Sequence, residues 1–146
     1  MDNNFDFKQV PNGWVLCYIS ACNRKEECMR YQFCLSAPDK LTKTQCVLPT
    51  VLKKSECPHF MPIRIVKAAK GFHHIFDEVK EKHHAAMRVE MARYLGAGGS
   101  FYRYRNGEKL LMPEQQEWIR KMFQRYGYSE EVVFDDYEDV YRFYKK

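Results

Sequence analysis

Six cysteines are the side chains of this 146-residue sequence with the clearest capacity for chemistry. Their spacing is C-x4-C-x5-C-x5-C-x11-C-x10-C, and they are Cys17, Cys22, Cys28, Cys34, Cys46 and Cys57. Thiolates bind zinc tetrahedrally, and four of them can also hold an iron–sulfur cluster. The spacing lacks the close C-x2-C pair of zinc ribbons, so two interpretations stay open: metal ligands, or small buried side chains of a core.

A metal site is favoured because the segment that carries the cysteines shows few signs of regular structure. Four prolines interrupt the chain from residue 34 to residue 62: Pro38, Pro49, Pro58 and Pro62. Metal binding supplies folding free energy directly to such a segment. We therefore predict a zinc site formed by Cys17, Cys22, Cys28 and Cys57, with Cys46 as the competing fourth ligand and Cys34 as a bystander.

Two other states of the cysteines remain open, an iron–sulfur cluster and no cofactor at all. Cys57-Pro58 matches the Cys-Pro pair that closes many cluster sites, and His59 is a further candidate ligand. Disulfides are not expected, because no export signal is recognisable and we predict a cytoplasmic protein with reduced thiols. The longest uncharged stretch, residues 9–23, contains Pro11 and Gly13 and is too short and too polar to cross a bilayer.

A turn signal at Asn106-Gly107 predicts a β-hairpin over residues 101–112, since this pair favours the two-residue turns of hairpins. Arginine can neutralise phosphate and tyrosine can stack on bases, so the hairpin is a candidate nucleic-acid surface. Its candidate residues are Tyr102, Arg103, Tyr104, Arg105 and Lys109, with Arg88 and Arg93 nearby. The alternative is ordinary: the tyrosines pack on helices and the arginines face water.

The order of helices and strands expected from the sequence predicts an α+β fold, with a small antiparallel sheet and three to four helices. These elements must position the side chains named above. A strand is expected over residues 63–69, and helices over residues 24–33, 77–95 and 113–126 and from about residue 135. Residues 1–61 would form an irregular cysteine-rich cap. Residues 62–146 would form the α+β body, packed with the cap as one unit.

Composition and motifs favour a binding or regulatory protein over an enzyme. Hydrophobic residues make up 45% of the chain, which is enough for a core, and the net charge of +5 is modest. No recognised catalytic signature surrounds the histidines, and Glu81-x2-His84 is only half of a di-iron motif. A redox accessory role for the cysteines remains an alternative. A protein partner would find tyrosines to contact near the C-terminus: Tyr137, Tyr141 and Tyr144.

Several segments together resemble an uncharacterised family of small cysteine-rich proteins from gut anaerobic bacteria. They are Trp14-x2-Cys17-x4-Cys22-x5-Cys28-x-Arg30-Tyr31, Cys46, Cys57-Pro58-x-Phe60, AKGF at 69–72, FYRYRNGEKLLMPEQQEWI at 101–119 and FDDY at 134–137. The resemblance implies no activity, but it favours Cys17, Cys22, Cys28, Cys46 and Cys57 as the significant thiols. Met112 departs from the Ser or Thr expected before PEQQ, so the cap of the following helix must be weaker or come from another group.

Overall fold

The computed structural model describes residues 5–144, which form two compact units. Residues 5–65 and 141–144 make the first, here called the thiol unit, and residues 66–140 make the second, the helical unit. Within the described residues there are four α-helices and one two-stranded antiparallel sheet. The predicted α+β class is therefore confirmed.

The thiol unit has little regular structure and is held together by an aromatic core. It contains three single-turn 3₁₀ segments, Phe7–Gln9, Lys25–Glu27 and Pro49–Lys53, and one short helix, α1 (Met29–Cys34). The ring of Phe33 is fully buried and contacts Trp14, Tyr141 and Phe143 at centroid distances of 5.1 to 6.3 Å. The indole Nε1 of Trp14 also donates to the Phe143 carbonyl at 2.8 Å. Burying such large rings supplies the hydrophobic stabilisation that short helices cannot.

The helix expected over residues 24–33 is displaced toward the C-terminus. Cys28 is extended (φ −106°, ψ 121°) and forms an isolated bridge with Pro62, while the N–H of Met29 donates to the Met61 carbonyl at 2.8 Å. These long-range bonds separate the 3₁₀ turn at Lys25–Glu27 from α1. Arg24 occupies the N-cap position of this turn and makes no side-chain capping bond.

The helical unit combines three helices and two strands around one core. Its elements are β1 (Ile65–Lys70), α2 (Glu81–Leu95), α3 (Ser100–Arg105), α4 (Pro113–Arg125) and β2 (Asp136–Tyr141), of which the terminal residues Ile65 and Tyr141 belong to the thiol unit. The Asp135 N–H donates to the Gly71 carbonyl at 3.0 Å and the Arg142 N–H to the Arg64 carbonyl at 2.9 Å, which fixes an antiparallel register. The core contains fully buried side chains from β1, the helices and the loops between them: Ala69, Phe72, Met87, Met91, Leu111, Ile119 and Met122.

Two helices of this unit agree closely with the sequence patterns. Helix α4 begins at Pro113 and ends at Arg125, and Gly127 follows at φ +93°, a conformation suited to a helix terminus. Met112 has no hydroxyl with which to cap this helix, so the capping contact comes from another group. The Gln115 side chain accepts a hydrogen bond from the Met112 N–H at 2.8 Å. Helix α2 begins four residues later than expected, because Lys80 is extended and its N–H donates to the Tyr128 hydroxyl.

The predicted hairpin over residues 101–112 is wrong, and so is the predicted helix from about residue 135. Residues 100–105 form α3, Asn106 has φ −84°, and only Gly107 adopts the positive φ that a type I′ turn needs twice. The Asn-Gly pair stands at the end of a helix in this structure. Both residue types are common at helix C-termini as well as in hairpin turns. The segment at Asp136 is instead β2, because pairing with β1 satisfies its backbone.

Candidate thiol site

Four of the six cysteines line one cavity of about 450 Å³ in the thiol unit: Cys17, Cys22, Cys28 and Cys57. They are the four that the sequence analysis selected as first-choice ligands. His59 also lines the cavity, whereas Cys46 is exposed and Cys34 is buried, both outside this lining. Irregular backbone positions all four thiols, with Cys28 lying between the Lys25–Glu27 turn and α1.

Two of the sulfur atoms accept hydrogen bonds from the backbone two residues further along the chain. The Ile19 N–H bonds to the Cys17 sulfur, and the Arg24 N–H donates to the Cys22 sulfur at 3.4 Å. Hydrogen bonds to a thiolate favour its charged form and tune thiolate-ligated metals. The local backbone therefore presents one N–H donor to the Cys17 sulfur and one to the Cys22 sulfur.

The surroundings of Cys17 disfavour the ionised form of this thiol in the absence of a cation. Burial raises the pKa of Cys17, the Ile19 N–H lowers it in part, and the nearby sulfurs of Cys28, Cys22 and Cys57 raise it further. Burial also raises the pKa of Cys34 to about 11. A bound cation would reverse the repulsion among the thiolates that line the cavity.

Basic side chains surround the cavity and one of them is firmly anchored. The lining includes Arg24, Lys25, Arg30 and Lys54. Arg30 donates to the carbonyls of His59 and Val15, each at 2.7 Å, and its guanidinium carbon lies 4.8 Å from the Trp14 ring centroid. Burial lowers the pKa of Arg30, while the nearby thiols oppose that effect. The cavity thus combines four thiol side chains with positive charge.

Within residues 5–144, no group of three or more His, Cys, Asp or Glu side chains is arranged so that it could hold a metal ion. The structure therefore brings the four predicted ligands to one cavity but does not test whether a metal binds there. The predicted zinc, its iron–sulfur alternative and the place of Cys46 in the ligand set stay predictions.

Helix α3 carries four of the residues proposed for nucleic-acid binding, Lys109 follows it in the chain, and cationic side chains already lie over both tyrosine rings. The Arg105 guanidinium lies 5.0 Å from the Tyr102 ring centroid, and the Lys109 amine lies 5.6 Å from that of Tyr104. Residues two apart on a helix point in different directions, so Tyr102 and Tyr104 do not share the face that a strand would have given them. Arg103 is exposed. Binding of nucleic acid by this segment stays a prediction.

The C-terminal tyrosines do not form one exposed surface. Tyr141 is buried and packs on Phe33 at 5.2 Å, whereas Tyr144 is 60% exposed. Tyr137 is half-buried, and its hydroxyl accepts the Phe134 N–H. A protein partner could contact Tyr144, but it cannot reach Tyr141 in this fold.

Sequence reasoning missed a polar cluster around Asp135 in the helical unit. The Asp135 carboxylate accepts the His73 N–H at 2.9 Å and lies 2.6 Å from His73 Nδ1, while His73 Nε2 lies 3.2 Å from Asn106 Oδ1. Desolvation acts to raise the pKa of Asp135, but the hydrogen bonds from the His73 backbone and ring outweigh it and lower that pKa. Sixty-two residues separate Asp135 from His73, and no local pattern signals the pair.

Fold and cavity together define a small α+β protein with a thiol-lined site. A model of DUF6078, a family of unknown function, matches residues 1–143, and the chain belongs to this family. No curated protein and no solved structure matches the chain. None of the helices within residues 5–144 has the length and apolar character needed to cross a membrane.

Proposed function

We propose that this protein binds one thiophilic metal ion, zinc in the first instance, through Cys17, Cys22, Cys28 and Cys57. The metal would order the thiol unit of a cytoplasmic binding or regulatory protein that is not itself an enzyme. The observation that carries the proposal is convergence: the four thiols line a single cavity although they span residues 17–57. Irregular chain with several thiols is the kind of structure that a structural zinc ion stabilises.

The charges of the cavity fit this ligand set. A zinc ion bound by four thiolates carries a net charge of about −2, which the surroundings must offset. Arg24, Lys25, Arg30 and Lys54 line the same cavity and provide that positive charge. The backbone N–H groups of Ile19 and Arg24 add hydrogen bonds to two of the sulfur atoms. Such outer contacts commonly support thiolate ligation.

Ligation requires that the side chains turn toward one another and that each thiol loses its proton. Because burial and neighbouring sulfurs raise the pKa of Cys17, metal binding should release protons and weaken as the pH falls. The resemblance to proteins of gut anaerobes implies a reducing environment, in which thiols remain free to bind metal.

Elemental analysis of protein purified anaerobically without chelator tests the proposal. We expect one zinc per chain and no visible colour. Replacing Cys22 or Cys57 by Ser should weaken zinc binding at least about tenfold, because a neutral hydroxyl is a poor substitute for a thiolate. Cys46→Ser is the matched control, since Cys46 is exposed and does not line the cavity, and it should retain the zinc.

Two results would overturn this assignment. Absence of any bound metal in the wild-type protein would return the thiols to a packing role, and stoichiometric zinc in the Cys22→Ser variant would exclude Cys22 as a ligand. Iron with acid-labile sulfide and a brown absorbance would replace zinc by the iron–sulfur alternative and favour a redox accessory role.

A further inference from the structure

We propose a second ligand site in the helical unit, a cavity of about 410 Å³ that binds a small molecule with a planar ring and one anionic group. Its cationic side chains are Arg88 of α2 and Arg105 of α3, and its aromatic side chains are Phe72, Phe76 and Phe101. This volume is within the range of small-molecule pockets. The proposal does not depend on the thiol site, because every lining residue belongs to the helical unit.

The two arginines are held in place without a neutralising carboxylate. Arg88 donates to the Tyr102 hydroxyl at 3.4 Å, and its guanidinium carbon lies 5.4 Å from the Phe101 ring centroid. Arg105 lies over the ring of the same Tyr102. Within residues 5–144, neither guanidinium has an acidic side chain at ion-pair distance. Oriented guanidinium groups that lack a protein counter-ion are suited to a phosphate or carboxylate ligand.

The aromatic side chains specify the rest of the ligand. Phe72 and Phe101 are buried, and Phe76 is partly exposed and packs against the His84 ring at a centroid distance of 5.1 Å. Phe72 and Phe101 belong to the buried core, so the partly exposed ring of Phe76 is the surface that favours a flat apolar ring, which can pack on it in an offset or edge-to-face arrangement. A ring that carries an anionic substituent would therefore satisfy both parts of the cavity.

Acidic residues on the same cavity limit the charge of the ligand. Asp77 and Glu81 are exposed members of the lining, and the Asp77 carboxylate lies 3.1 Å from His74 Nδ1. His73, another member, is paired with Asp135. These carboxylates repel additional negative charge, so one anionic group is favoured over a polyphosphate or a nucleic-acid strand.

Five probes are titrated into the full-length protein, and their binding is monitored by the chemical shifts of the backbone amides in NMR spectra. Adenosine monophosphate is a ring with a phosphate, and benzoate is a ring with a carboxylate. Adenosine lacks the anionic group and inorganic phosphate lacks the ring. Adenosine triphosphate carries more negative charge than the monophosphate. We expect saturable shifts in α2 and α3 with at least one of the first two probes. Adenosine and inorganic phosphate should bind at least about tenfold more weakly, since each loses one class of contact.

Matched variants locate the binding. Arg88→Gln and Arg105→Gln should each weaken binding about tenfold or more. Arg93→Gln on α2 and Arg103→Gln on α3 should leave it unchanged, because neither residue lines the cavity. Four results would each overturn the proposal. Two concern the ring-bearing anions: no saturable shift with either of them, or an equal loss of binding in the control variants. The other two concern adenosine nucleotides: adenosine binding as tightly as its monophosphate, or the triphosphate binding more tightly than the monophosphate. The probe comparison needs only wild-type protein, so it holds even if a variant fails to fold.

Discussion

Asp135 joins two segments of the helical unit that are distant in sequence. Its carboxylate accepts the His73 N–H and contacts the His73 ring, and its own N–H donates to the Gly71 carbonyl. Gly71 has φ +88°, and a Cβ there would lie 2.8 Å from an Asp135 carboxylate oxygen. A side chain at position 71 would therefore meet both backbone strain and a clash.

Replacing Asp135 by Asn tests the energetic role of this carboxylate. We expect a loss of about 1–2 kcal/mol of unfolding free energy at pH 7, because hydrogen bonds to a charged group exceed those to a neutral amide. The pKa of Asp135 is lowered in the folded protein, so its stabilisation is fully present above the unfolded pKa of about 4 and is lost as the pH falls through the folded value.

Urea unfolding of the wild type and of Asp135→Asn from pH 7 to pH 2 measures this effect. The difference between the two should be constant above about pH 5 and shrink in acid. Asp139→Asn is the control, since Asp139 is an exposed residue of β2, and its unfolding free energy should stay near the wild-type value. A pH-independent difference would show that the Asp135 charge does not contribute.

At the scale of elements, Gln116 connects α4 to the sheet. Its side chain is 5% exposed and donates to the carbonyls of Lys67 in β1 and Leu111 in the preceding loop, at 3.0 and 2.9 Å. Leu111 forms an antiparallel bridge with Ala69, so one amide group supports two backbone segments. A buried polar side chain in this position is consistent with the rule that interior polar groups are hydrogen-bonded.

Gln116→Leu should destabilise the protein by about 1–3 kcal/mol, because both carbonyls would lose a donor in the interior. Gln124→Leu is the matched control on the exposed side of the same helix, and it should change the unfolding free energy by less than about 0.5 kcal/mol. Chemical unfolding of both variants measures the difference. Equal effects would mean that the Gln116 amide does not stabilise this contact.

At the scale of the whole molecule, each unit has a core of its own but the two differ in composition. The thiol unit relies on aromatic contacts around Phe33 and has one short helix, whereas the helical unit buries methionines and aliphatic side chains between its helices and strands. Only the thiol unit contains cysteines. A metal bound by them would therefore stabilise one unit selectively.

Removing metal with a chelator should loosen the thiol unit alone. We expect hydrogen exchange of anaerobically purified protein to rise within residues 5–65 after chelation, with the exchange of residues 81–125 unchanged. Readdition of zinc should restore protection. Equal exchange before and after chelation would show that the thiol unit is stable without metal.

The sequence by itself determined the features that depend on local chemistry. Helix α4 could be predicted because Pro113 suits a first helical turn and Gly127 suits a terminus. The proline-interrupted, cysteine-rich segment predicted Cys17, Cys22, Cys28 and Cys57 as metal ligands. The structure brings these four thiols to one cavity, and metal binding there stays a prediction. The α+β class followed from the same local patterns.

The tertiary structure alone determined the conformation of segments whose local sequence signals were ambiguous or absent. Asn106-Gly107 suits a hairpin turn and a helix terminus equally, and the packing of α3 selected the second. The segment at Asp136 became a strand because β1 offered backbone partners. The contact of His73 with Asp135 and the cavity between Arg88 and Arg105 join residues distant in sequence. Such contacts depend on chain topology, which neither residue spacing nor intrinsic propensity encodes.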